Sequence, residues 1–195
     1  MPRLPTVQVL PSAERAEQPV FYYDLGDPAC YFAAEQVMTA LPVVPEWEPV
    51  LASEIIPSPR VPDVDRLANQ ARQLGLQPLR WPSSWPPDTR QAMLAATYAK
   101  GIGRAVAFSL AAFRQAFAGG RDLSESATIL IAGAACEMHP TALVKGMSMR
   151  STATALDQAT ERARRAGVVS LPAIRVQQRV FSGQGALAGA AEALP

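Results

Sequence analysis

Val20-Phe21-Tyr22-Tyr23-Asp24-Leu25-Gly26-Asp27-Pro28-Ala29-Cys30 is the stretch whose reading decides the fold. Its first part, Val20 to Leu25, is a short apolar and aromatic run closed by Gly26, and it reads as a buried strand. Asp27-Pro28 then opens a helix. Asp is a favoured N-cap, and the fixed φ of Pro suits the first helical position. The helix runs roughly from Pro28 to Ala40, with Tyr31, Ala34, Val37, Met38 and Leu41 near one face. A strand that turns straight into a helix places Asp27 and Cys30 at the helix N-terminus.

Moving outward, Pro42 and Pro45 break the chain, and Trp47-Glu48-Pro49-Val50-Leu51 reads as a second strand. Pro49 has no N–H for a ladder, so that strand belongs at an edge or ends early. From about Ile56 to Ala166 the character changes to helices. Asp63 to Leu74 is stopped by Gly75, and Trp81-Pro82-Ser83-Ser84-Trp85-Pro86-Pro87 is a rigid loop. Asp88 or Thr89 caps a helix that continues to Lys100, and Ala105 to Ala118 is the next, with Phe113 and Phe117 four apart on one face. Gly119-Gly120 stops that helix. Ser124-Glu125-Ser126 begins another through Cys136, His139-Pro140 a shorter one, and Ser151 to Ala166 the last, ended by Gly167. Pro172 to Val176 alternates like a strand, Gln177-Gln178 is a turn, Val180-Phe181 returns, and Ala186 to Ala193 is a final short helix.

Bulk properties narrow the function classes. At 195 residues, 49% of them hydrophobic, the chain has ample material for a sizeable core. The net charge is only +1, and no basic run interleaves with aromatics, which argues against a nucleic-acid partner. Two cysteines, Cys30 and Cys136, make no disulfide framework, and with one histidine they give no metal-ligand spacing. There is no signal-peptide run and no stretch of about 20 apolar residues for a membrane span. The expectation is a soluble cytoplasmic protein with reduced thiols and a loose extension at residues 1–17.

The segment from Phe21 to Phe32 resembles the opening of DsbA-like proteins of the thioredoxin fold, within the branch of 2-hydroxychromene-2-carboxylate isomerases and kappa-class glutathione transferases. That opening reads as an aromatic strand, Asp, then Ser-Pro-x-Ser-Tyr-Leu. Leu79-Arg80-Trp81-Pro82 with Trp85-Pro86-Pro87-Asp88-Thr89 is similar to the family's proline loop, which usually carries Asn before Ser or Thr. Ala96 to Ala118 is similar to its central helices. Gly167 to Pro172, with Phe181-Ser182-Gly183-Gln184-Gly185-Ala186-Leu187 after it, is similar to its cis-proline loop and glutathione-binding turn. The resemblance spans roughly residues 20 to 190. It implies an α/β fold: a thioredoxin-like core, residues 18–54 and 167–195, with an all-α domain, residues 55–166, inserted between a β-α-β unit and a β-β-α unit.

The same resemblance implies a glutathione- or thiol-linked isomerase or transferase acting on a small aromatic substrate, with glutathione as cofactor and, as in many relatives, a homodimer. Where the family has the serine that approaches the glutathione sulfur, this chain has Asp27. A serine hydroxyl donates to a thiolate, whereas an ionised carboxylate repels it and raises the thiol's pKa. Asp27 therefore reads in two ways, as a helix N-cap stabilising by about 1 kcal/mol or as a general base for a substrate proton. Cys30 stands where a resolving cysteine would stand; it reads either as a thiol activated by the helix N-terminus or as a small core residue.

Leu171 and a cis Pro172 are implied as the backbone clamp for a γ-glutamyl-cysteinyl ligand. Asp88 and Gln184 are implied as further glutathione contacts, and Tyr31, Trp81 and Trp85 as substrate-pocket residues, although the two tryptophans also read as loop anchors. In the second turn Gly185 and Ala186 replace the family's Asp and Arg, which removes the grip on the ligand's ammonium. Losing one charge-assisted hydrogen bond costs about 1.5–3 kcal/mol. Two other readings stay open: a non-catalytic thioredoxin-fold binding protein, and a thiol–disulfide oxidoreductase, which lacks its attacking thiolate here.

Overall fold

The aromatic run forms strand β1 (Val20–Tyr23), buried along its whole length. A computed structural model describes residues 18–56 and 61–194; the expected extension at residues 1–17 lies outside the described residues. Asp27 caps helix α1 (Pro28–Ala40), with Pro28 in its first turn. Strand β2 (Glu46–Pro49) returns parallel to β1, pairing Val20 with Glu46 and Tyr23 with Pro49. Near the C-terminus β3 (Ala173–Val176) and β4 (Arg179–Ser182) form a hairpin, and β3 runs antiparallel to β1. The sheet order is β2-β1-β3-β4, so Pro49 sits on an edge strand, where its missing N–H is tolerated.

Between β2 and β3 the described chain is helical: α2 (Ala52–Ile55), α3 (Val64–Gln73), α4 (Arg90–Gly101), α5 (Ala105–Phe117), α6 (Ser126–Ala135), α7 (Pro140–Ser148) and α8 (Arg150–Arg165). A single 3-10 turn at Gly183–Gly185 leads into α9 (Ala186–Ala193), which packs on β3 and β4. The short α2 is not foreshadowed in the sequence, because four residues are too few to show a helical period. Met38 is 41% exposed rather than part of the buried face of α1. Thr89 precedes α4 without a side-chain cap bond, and Asp88 instead accepts from Arg90 N at 3.1 Å. His139 caps α7 by accepting from Thr141 N at 3.3 Å.

Alternation along β1 gives the sheet two different faces. Phe21, Tyr23 and Trp47 form an aromatic cluster on one, with ring centroids 5.0 to 5.5 Å apart. Phe113 of α5 meets Tyr23 at 6.0 Å, and the Tyr23 hydroxyl pairs with Ser109 Oγ at 2.7 Å. Rings offset or edge-on at these distances add about 0.5–1.5 kcal/mol per pair beyond burial. The other face carries Val20, Tyr22, Glu46, Glu48 and Arg175, by register. There Lys100 at the end of α4 bridges Glu46 Oε1 (2.7 Å) and Glu48 Oε1 (2.8 Å), while Arg162 of α8 reaches Glu48 Oε2 at 3.3 Å. Arg162, about as exposed as Arg164, nonetheless reaches the sheet, whereas Arg164 and Arg165 pair with Glu161 on their own helix.

Candidate functional site

The site is built where β1 hands over to α1. Asp27 Oδ1 accepts from Ala29 N at 2.7 Å, which is the capping bond that starts the helix. Three residues earlier, Asp24 is almost fully buried at the end of an apolar strand, where an unpaired charge would be costly. Its Oδ1 accepts from Gly26 N (2.9 Å) and its Oδ2 from Ala52 N (2.8 Å), and the Thr89 side chain adds a further hydrogen bond. Asp24 thus ties the turn to the start of α2 and to the loop before α4. Its role was missed from the sequence; the available signal was an acidic residue ending a buried strand.

That same loop lies directly on the turn. A Cβ placed on Gly26 would stand 2.5 Å from Thr89 Cγ2 and 2.9 Å from Pro87 Cγ, so only glycine fits beneath the loop. Arg80 N donates to Phe117 O at 2.8 Å, and Ser84 Oγ donates to Asp122 Oδ2 at 2.6 Å, anchoring the loop to the end of α5 and to the segment between α5 and α6. Trp85 packs edge-on to Trp81 (5.2 Å), Trp81 edge-on to Phe117 (6.5 Å), and Phe117 stacks on Tyr31 (5.8 Å). This aromatic chain runs from solvent, at the 37% exposed Trp85, down to the core under α1.

Strand register brings the remaining candidates to the same end of the sheet. Ala173 pairs with Tyr22 on one side and Ser182 on the other, and Pro172 O accepts from Gly183 N at 2.7 Å. Leu171-Pro172 and the Gly183–Gly185 turn therefore stand beside the β1–α1 turn. The Leu171–Pro172 peptide bond is cis, and so is Trp85–Pro86. Leu171 is buried, whereas Gln184, Gly185 and Asp88 are exposed.

The electrostatics separate the two catalytic candidates. Burial pushes the Asp27 carboxyl up to about 6, the Ala29 N–H opposes this, and the neighbouring Asp24 adds to it. One side of Asp27 remains open to solvent. Cys30 is wholly buried, and burial, with the charge of Asp27 second, holds its thiol well above the ordinary range. It is a neutral packing residue here, because burial, reinforced by the Asp27 carboxylate, outweighs any activation by the helix N-terminus. Tyr31 is also corrected: at 2% exposure, with its ring against Phe117, Phe113 and Phe32, it supports the site from below and leaves no face for a ligand.

Two cavities, of about 280 Å³ between α4, α6 and α7 and about 420 Å³ on the polar sheet face, are lined by none of Asp27, Leu171 or Gln184. Among the described residues no group of three or more His, Cys, Asp or Glu side chains is placed to hold a metal ion. No helix among them is long and apolar enough to cross a membrane.

With this geometry in place, residues 20–195 match the DsbA-like thioredoxin domain, and the chain belongs to that family. Curated protein sequences give no match. Among solved structures it is similar to a 2-hydroxychromene-2-carboxylate isomerase, with a TM-score of 0.79 and 16% identity over 90% of this chain and 93% of that one. A probable DsbA oxidoreductase from Streptomyces coelicolor gives a TM-score of 0.73 and 17% identity, covering 91% and 88% of the two chains. The cytosolic disulfide reductase DsbM from Pseudomonas aeruginosa, solved with GSH, gives 0.60 and 14%, covering 84% and 88%. At these identities the likeness is one of fold, and the chemistry has to be argued from the site.

Proposed function

We propose that this protein is a glutathione- or thiol-linked isomerase or transferase of the 2-hydroxychromene-2-carboxylate isomerase type, acting on a small aromatic substrate, with Asp27 as its acid–base group. The observation that carries the reading is the Asp27 carboxyl itself, placed at the reactive turn of the fold, open on one side and shifted to about 6. At neutral pH such a group is mostly ionised and works as a base. A free thiol titrates near 8.5, about 2.5 units higher. Asp27 therefore takes the thiol proton only as the S–C bond forms at an unsaturated substrate carbon. In an isomerisation the same proton returns as the S–C bond breaks, so thiol and carboxylate are regenerated. Trp81 and Trp85 offer an aromatic edge and face beside the turn, and the Leu171 backbone the strand-like clamp.

Gly185 gives a direct test. It has φ −84° and nothing within 4 Å of a built Cβ, so an aspartate fits there without strain. Gly185→Asp is expected to tighten glutathione roughly ten- to a hundred-fold in calorimetry by restoring the ammonium contact. Absence of glutathione heat in the wild type, in Gly185→Asp and in Asp27→Ser together would rule out a glutathione enzyme.

One observation favours a second reading, a non-catalytic binding protein of the same fold: Pro87 and Thr89 press on Gly26 and cover part of the turn. Under that reading Asp27→Ala removes a helix cap and leaves all ligand binding unchanged.

A further inference from the structure

The polar face of the sheet holds a cavity that the proposed reaction does not use. Its volume is about 420 Å³, within the range of small-molecule sites. The strands contribute Val20, Tyr22, Glu46, Glu48 and Arg175 to its wall, Gln178 comes from the β3–β4 turn, and Lys100, Arg162 and Ala166 close it from the ends of α4 and α8. Asp27 lies beyond the other end of β1, so the two places are separate.

Charge and hydrogen-bond capacity decide what this cavity can take. Lys100 and Arg162 face Glu46 and Glu48, and Arg175 adds a third cation to the wall. Both oxygens of Glu48 are already engaged, by Lys100 and by Arg162, and Lys100 also holds Glu46. The acceptors are therefore largely spent. The donors are not: Arg162 uses one nitrogen, at 3.3 Å, and its side chain is more than half exposed. Tyr22 supplies the second observation. The residue is 4% exposed and lines the cavity, yet its hydroxyl has no hydrogen-bond partner among the described residues. The hydroxyl itself is not sealed from solvent, since among the described residues only Trp47 Nε1 is a buried polar side-chain atom without a partner; it opens onto the cavity and is free to donate to a ligand. The C-terminal carbonyls of α4 and α8 lower the local potential and moderate the affinity for an anion.

We infer that this cavity is a second ligand site, which binds a small organic or inorganic oxyanion, a carboxylate or a phosphoryl group, between the Arg162 guanidinium and the Tyr22 hydroxyl. A planar guanidinium fork matches either group in bidentate fashion. Apolar Val20 and Ala166 accommodate the body of the ligand.

The test uses the full chain with two probes, succinate and inorganic phosphate, each titrated to about 20 mM at constant ionic strength and monitored by NMR shifts of the amides of residues 20–22 and 46–48; saturation in this range corresponds to millimolar binding or tighter. Saturable shifts with one or both probes, absent with chloride, are expected, and the probe that binds tighter identifies the oxyanion. Tyr22→Phe removes a hydroxyl that pairs with none of the described residues, so it leaves the unfolding midpoint unchanged while weakening the probe at least five-fold. Arg162→Gln weakens it at least ten-fold, and Asp27→Asn has no effect. No saturable shift with either probe, or equal affinity in the wild type and Tyr22→Phe, overturns the inference.

Discussion

At Asp27 one carboxyl caps a helix and carries the raised pKa on which the proposed chemistry depends, and the two roles can be separated. Asparagine keeps the oxygen that accepts from Ala29 N but cannot titrate. The linkage sign is set by a folded pKa of about 6 and an unfolded value of about 3.9. Between those values the folded state holds a proton that the unfolded state has lost. Stability from this group is therefore greatest at acid pH and declines as pH rises through about 6. With allowance for its solvent-facing side, the wild type is expected to lose about 1–2 kcal/mol relative to Asp27→Asn between pH 4 and pH 7.5, measured by urea unfolding. Parallel curves for the two proteins across that range would place the carboxyl at an ordinary pKa.

On the scale of elements, the β1–α1 turn and the proline loop act as one unit because Gly26 lets them touch. Gly26→Ala is expected to destabilise by about 1–3 kcal/mol through overpacking. Thr89→Ser removes the methyl that the new Cβ would strike and keeps the hydroxyl that bonds Asp24. The double variant is expected to recover at least half of the loss, as read from thermal and urea unfolding; no recovery would mean that Pro87, not Thr89, sets the contact. The strands and most helices were legible in the sequence because their signals are local: Asp27-Pro28 for α1, Pro49 for an edge strand, Gly75 and Gly167 for helix ends. The core position of Cys30 was one of the two readings the sequence left open, but the burial of Tyr31 was not legible. It depends on α5, whose Phe113 and Phe117 arrive from about 80 residues away to cover α1. The role of Asp24 was hidden for the same reason, since Ala52 and Thr89 reach it only in the folded chain.

At the scale of the whole molecule, Glu48 joins the sheet to the helical segment by pairing with Lys100 of α4 and Arg162 of α8. Glu48 is the buried member, while Lys100 keeps Glu46 and Arg162 is more than half exposed, so removing Glu48 forfeits charge-assisted hydrogen bonds without leaving a buried charge unpaired. Glu48→Ala is expected to cost about 1.5–3 kcal/mol, and Glu161→Ala, which breaks two exposed pairs on α8, under about 0.5 kcal/mol. Equal losses in urea unfolding would mean that the network is not structural. The two proposed ligand regions lie on different parts of the sheet. One end brings Asp27 of the N-terminal turn together with Leu171-Pro172 and Gln184 flanking the C-terminal hairpin, while the polar face opens elsewhere, between α4 and α8.

The most direct measurement is the ionisation state of glutathione bound at the Asp27 turn, read from thiolate absorbance in the ultraviolet at neutral pH. With Asp27 as a base that accepts the proton only during reaction, bound glutathione in Gly185→Asp remains a thiol, and adding Asp27→Ser to that variant converts it to a thiolate. Thiolate already present with Asp27 intact, or no thiolate after the change to serine, would contradict the role assigned to this carboxyl.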